Sequence, residues 1–175
     1  LRVDKILPVD GAPTNGGGGI IQVQSTTKTD TSSFASDTTD TFVDLSGLSV
    51  SITPKFSTSK ILIMFTVAAH VNTGTVHIRL MRDSTPIAVA DADGNSISST
   101  VSRRTQSSVY ALECTPMSYT FLDSPNTTSS TTYKLQGTAG SSYDATFYVN
   151  RASNTTDANY NARVTSTITV MEVSA

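Results

Sequence analysis

Two imidazoles, His70 and His77, and one thiol, Cys114, bound the chemistry available to this chain. A hydrolytic triad needs a nucleophile, a base and an orienting acid, and these two histidines are the only bases of the usual kind. His70 falls near the end of an apolar segment and His77 on the polar face of an alternating one, which are packing positions for histidine. No Gly-x-Ser-x-Gly elbow, Walker loop or His-Glu-x-x-His pattern is present. The run Gly16 to Gly19 has no strand before it and no helix after it, so it reads as a hinge rather than a phosphate cradle. Asp91, Asp93 and Asn95 around Gly94 offer oxygens of the kind calcium takes. The glycine comes too early for a calcium-binding hand, however, and Ser102 stands where a bidentate Glu belongs. That segment reads as an acidic turn. Paired carboxylates for glycoside cleavage cannot be assigned from spacing. No catalytic residue, cofactor or metal ligand is therefore expected.

Binding chemistry is better represented. Tyr143, Tyr148 and Tyr160 lie in or beside polar stretches, where rings flanked by Asn, Asp and Arg can stack on sugars or simply pack at loop bases. Arg103 and Arg104 fall within a polar run, Asp91 to Ser108, that reads as an exposed loop. These five residues are the candidate surface-binding positions. Arg151 and Arg163 read as solvated or paired charges. Asn126 and Asn154 each begin an Asn-Thr-Thr acceptor pattern for glycosylation, a chance match in a threonine-rich chain that carries no sign of secretion.

The elements that would position these residues are strands. Ile20 to Gln24 alternates, with Ile21 and Val23 on one face, and a polar stretch from Ser25 to Asp40 reads as a long loop or edge segment. Thr41 to Asp44 and Leu48 to Thr53 read as strands around Gly47, stopped by Pro54. Lys60 to Val71 runs apolar without alternation, which implies burial on both faces, between two sheets or against a neighbouring subunit. Val76, Ile78 and Leu80 alternate, and Thr85 to Ala90 returns as a hairpin. Val109 to Leu112, Met117 to Leu122, Thr132 to Gly137, Ala145 to Val149 and Thr165 to Val173 complete the set, divided by turn clusters such as Gly137 to Ser142. No apolar spacing of helical period is sustained, and the pattern predicts an antiparallel β-sandwich, specifically a jelly roll.

At 175 residues the chain accommodates one domain with a short appendage. Residues 1–19 form the appendage, an N-terminal arm and glycine hinge, and residues 20–175 form the sandwich. The arm carries Leu1, Val3, Ile6, Leu7 and Val9, too few apolar residues for a core of its own, so it reads as an attachment element that docks elsewhere. Serine and threonine make up roughly three residues in ten and charged residues 15%, a composition suited to pleated surfaces and turns. A net charge of -2 gives no pull toward phosphate backbones or anionic membranes, so neither nucleic acid nor membrane insertion is expected. A single cysteine excludes an intrachain disulfide, and Cys114 reads as a small buried hydrophobe. The opening at Leu1, without Met or a signal segment, reads as a fragment.

Four segments, Gly17 to Asp30, Thr41 to Pro54, Ser59 to Ile63 and Ser166 to Glu172, together resemble small virion structural and tail-fibre-like proteins of marine and cyanobacterial tailed phages. The opening Leu1 to Ile6 is similar to the N-terminal segment of such proteins. In strand order the chain also resembles trimeric jelly rolls of the complement and tumour-necrosis-factor type. The resemblance implies a noncatalytic homotrimer on the exterior of a phage particle, bound to other virion proteins of the tail or capsid. Tail fibre ranks above capsid decoration, and host-surface glycan or protein is an additional partner. A glycan-binding module or a depolymerase is the alternative from another class.

Overall fold

The computed structural model describes residues 19–36, 41–105, 112–140, 144–154 and 156–174. Among them there is no helix; eleven strands form two antiparallel sheets packed face to face as a β-sandwich. The strands are β1 (Ile20–Lys28), β2 (Ser32–Ser36), β3 (Val43–Ile52), β4 (Lys60–Val71), β5 (Thr75–Arg82), β6 (Thr85–Ile87), β7 (Val101–Arg104), β8 (Thr115–Asp123), β9 (Thr131–Gly140), β10 (Ala145–Val149) and β11 (Ser166–Val173). The predicted arm with Leu1, Val3, Ile6, Leu7 and Val9 lies outside the described residues.

Sheet A is organised by β4, the longest strand. One of its edges pairs with β8 along Ile61 to Ala69. The other edge is shared: Lys60 to Thr66 pair with β11, which carries β1, and Ala69 to Val71 pair with β10, which carries β2. Sheet B runs β3-β9-β5-β6, with β7 also on β5. Period-two alternation sends Ile61, Ile63, Phe65 and Val67 of β4 and Ile168 and Val170 of β11 inward. There they meet Leu48 and Val50 of β3, Tyr133 and Leu135 of β9 and Ile78 and Leu80 of β5. Each such side chain, fully buried, contributes about 1.5–3 kcal/mol.

Two polar groups inside this frame are fully partnered. Tyr133, buried in sheet B, donates its hydroxyl to Asp123 Oδ2 of sheet A at 2.7 Å, and Arg82 Nη1 reaches both oxygens of Asp123 at 2.9 and 3.0 Å. Glu172, at the buried end of β11, accepts from Gln22 Nε2 at 2.6 Å and from the Lys55 amide at 2.7 Å. Burial alone would raise its pKa, but hydrogen bonds from Gln22, Lys55 and Phe56 outweigh it and hold the carboxyl below 4.5.

Several boundaries differ from the sequence expectation. β1 continues to Lys28, because Thr26, Thr27 and Lys28 stay in register with β11, and in the stretch read as a long loop or edge segment Ser32–Ser36 forms β2, the edge strand beside β10. Gly47 does not separate two strands; at φ 80° it lets β3 continue through an irregular step between Asp44 and Ser49. Gly137 to Gly140 belongs to β9 rather than to a turn. A Cβ on Gly137 would sit 2.7 Å from Phe147 Cζ, so any larger residue forces Phe147 to shift where the sheets approach. Val101–Arg104 is a strand within the predicted loop Asp91 to Ser108. Leu112 lies in a turn, and the rest of the expected strand from Val109 falls outside the described residues. Within the single chain β4 is covered by sheet B on its inner face only, which removes the expected burial between two sheets: on its outer side Met64 is exposed and Leu62 half-buried.

Candidate functional site

The outer faces of the two sheets differ in chemistry. On sheet B, Asp44, Lys134, Gln136 and Arg79 form a chain of charged and polar contacts. Lys134 Nζ reaches Asp44 at 2.7 Å, and Arg79 Nε reaches Gln136 at 2.8 Å. The Lys134 bond, with that from Gln136, holds the Asp44 carboxyl below its ordinary value. Arg79 also stacks over the Phe42 ring at 4.0 Å.

Sheet A presents registered rows across β1, β11, β4 and β8. One row is Val23, Met171, Leu62 and Leu122, and the next is Ser25, Thr169, Met64 and Thr120. The third is Thr27, Thr167, Thr66 and Ser118. None of these side chains is charged. Their hydroxyls answer one another across the strands, Ser25 with Thr169 at 2.8 Å and Thr66 with Ser118 at 2.8 Å. Val23 is 50% and Leu122 53% exposed, although they belong to a continuous apolar row. A groove of about 470 Å³ bordered by Met64, Tyr119, Thr169 and Met171 lies on this side. The outer edge of β8 carries no paired strand among the described residues.

The candidate binding residues do not converge on one site. Arg103 is a correction: it lies in β7 rather than in a loop, opposite Val76, and pairs with Glu113 at 3.0 Å, with its side chain only 22% exposed. Arg104 follows it in β7, exposed opposite Thr75. Tyr148 stands in β10 on the outer side of sheet A, directly paired with His70, and carries the Arg151 guanidinium 4.6 Å above its ring. Tyr160 is exposed in a turn. Tyr143 lies outside the described residues.

His70 is buried with neither ring nitrogen partnered, and burial, with Arg103 nearby, lowers its pKa. His77 faces Ser99 at 3.3 Å. Burial pushes the half-buried Cys114 thiol up to about 11, the behaviour of an unreactive thiol. The Asp93 and Gly94 segment is an exposed turn closed by Ser96 N on Asp93 O at 3.0 Å. No group of three or more potential metal ligands occurs among the described residues, and no helix is long and apolar enough to cross a membrane.

Sequence reading set aside Arg151 and Arg163 individually, and nothing in their spacing signals that they face each other across a backbone bridge. The outer rows of sheet A were partly legible, because Leu62 and Met64 interrupt the alternation expected of a strand with one wet face. No protein-family model matches the chain, and no curated protein matches it.

Proposed function

We propose that this chain is a noncatalytic structural component of a tailed-phage virion: a homotrimeric jelly roll displayed on the exterior, attached through its N-terminal arm as part of a tail fibre. Three uncharged rows on the outer face of sheet A carry this reading. The rows that run from Val23 to Ser118 carry no charge, so burying them against another subunit desolvates no ion, whereas the Arg79, Lys134 and Asp44 side of sheet B would have to give up the hydration of its charges. Four strands by three rows span roughly 20 by 20 Å, about half the ~800 Å² that one partner buries in a standard interface, before flanking residues are added. Self-association would also bring the open edge of β8 into an assembly and remove a site of uncontrolled pairing.

The resemblance of Gly17 to Asp30, Thr41 to Pro54 and Ser166 to Glu172 to phage virion proteins supplies the setting, and the arm supplies the attachment. Multi-angle light scattering on the full chain tests the assembly. A trimer mass that persists on dilution is expected, and a monomer mass across a wide concentration range would overturn the reading. Capsid decoration is the second placement. Labelling the chain on intact particles separates head from tail.

A further inference from the structure

The segment between β10 and β11 leaves and rejoins the sandwich at a single neck, where Arg151 and Arg163 form an isolated antiparallel bridge. Val164 N bonds Asn150 O at 3.2 Å beside it. Like charges directly opposite in an antiparallel pair destabilise it. Among the described residues neither arginine has a carboxylate within ion-pair distance. Arg151 is held by the Tyr148 ring and by Nη2 donating to Ser33 Oγ at 3.2 Å, and Arg163 is exposed.

The two arginines border a cavity of about 170 Å³ whose other polar lining is Asn154, Thr156, Asp157 and Asn161. The loop is shaped by its own hydrogen bonds: Thr156 N donates to Asn154 Oδ1 at 2.9 Å, Asn161 N to Ala158 O at 3.1 Å, and Asn161 Nδ2 to the Thr156 carbonyl. Asn161 Oδ1 is buried with no donor to answer it. It is therefore free to accept from a donor that enters the cavity.

We propose that this neck binds one carboxylate-bearing sugar unit of an acidic polysaccharide. The two arginines that border the cavity take the carboxylate through guanidinium N–H donors. Asn161 Oδ1 and the Asp157 carboxylate accept from sugar hydroxyls, and the methyl groups of Ala158 and Ala162 face the C–H side of the ring. Asp157 makes the site unfavourable for a phosphate or sulfate dianion and suits a monoanion. The cavity lies below the usual ~300 Å³ of a drug-sized site, which limits it to a single unit. The polysaccharide source, a host surface, rests on the display reading above; the binding itself does not.

An amide NMR titration of the full chain with sodium glucuronate, methyl glucoside and sodium acetate tests it. Glucuronate is expected to give saturable shifts confined to residues 151–163 and Tyr148, with millimolar Kd. The neutral sugar and acetate should bind at least about tenfold more weakly. Arg163→Ala should abolish the titration while leaving the remaining spectrum unchanged. Absence of saturation with glucuronate, equal binding of acetate, shifts centred elsewhere, or full binding by the variant would each overturn the proposal. Arg163 is not part of the sheet A face, so light scattering of the same samples reports separately on assembly.

Discussion

Ser166 Oγ donates to Asn150 Oδ1 at 2.5 Å, both residues fully buried, at the point where the shared edge of β4 passes from β11 to β10. The same Ser166 oxygen accepts from Ala68 N at 2.9 Å, and Asn150 Nδ2 donates to the carbonyls of Lys28 and Asp30, each at 2.9 Å. Four segments of chain are joined there by side chains where no strand ladder can continue. Asn150 adopts φ 61°, a conformation asparagine tolerates better than other L residues with side chains.

Asn150→Ala should therefore cost about 2–4 kcal/mol, since it removes the partner of the buried Lys28 carbonyl, the partly buried Asp30 carbonyl and the Ser166 hydroxyl and places a Cβ residue without local compensation at positive φ. Asn150→Gly should lose the same bonds but relieve the backbone, and so be less damaging by roughly 0.5–1 kcal/mol. Urea unfolding of the two variants separates the terms; equal stability would show that backbone conformation contributes nothing.

The assembly face makes its own prediction. Leu62→Lys or Leu122→Glu sets a charge into the apolar row that crosses β1, β11, β4 and β8. Either should convert the oligomer to monomer in light scattering while preserving the β-sheet circular dichroism spectrum. Arg79→Glu on sheet B should leave the mass unchanged.

Asp123 joins the sheets through Tyr133 and Arg82. Asp123→Ala strands the hydroxyl of a fully buried tyrosine and should cost about 3 kcal/mol, against about 1–2 kcal/mol for Tyr133→Phe, which removes the donor and leaves Asp123 with Arg82. Chemical denaturation of both variants and the double variant measures the coupling. Additive losses would refute the shared network.

Acid should weaken the fold in two steps. The His70 pKa is lowered from 6.5 by burial and by Arg103, with Glu113 opposing, so below 6.5 the unfolded chain takes up a proton that the native state refuses. Stability falls with pH from there to the native pKa. Glu172 is held below 4.5, so a second loss begins under that value as the unfolded carboxyl protonates first. His70→Leu should remove the first slope and Glu172→Gln should reduce the second, with Asp44 supplying part of the remaining loss below 3.8, in thermal melts between pH 3 and 8.

Gly137→Ala should cost about 1–3 kcal/mol, because the new methyl would meet Phe147 Cζ at 2.7 Å and Leu45 Cδ2 at 3.1 Å. Pairing it with Phe147→Leu should recover part of that loss in thermal denaturation; no recovery would place the strain in the backbone instead.

Local alternation determined much of this fold. Ala145–Val149 was legible to the residue, and the hairpin of β5 and β6 and the last strand nearly so, because each writes its inward face into every second position. β2 and β7 were illegible for the same reason. Phe34 is the only large apolar residue of β2, and β7 puts Arg103 where an apolar residue would signal a strand. Their backbones are ordered by pairing with β10 and β5, which lie far along the chain. Composition and alternation thus established an all-β sandwich from the sequence by itself. Only tertiary structure decided that three uncharged rows lie side by side on the outer face of sheet A and that Arg151 stands opposite Arg163, because both depend on strand register and loop closure between residues that share no local pattern.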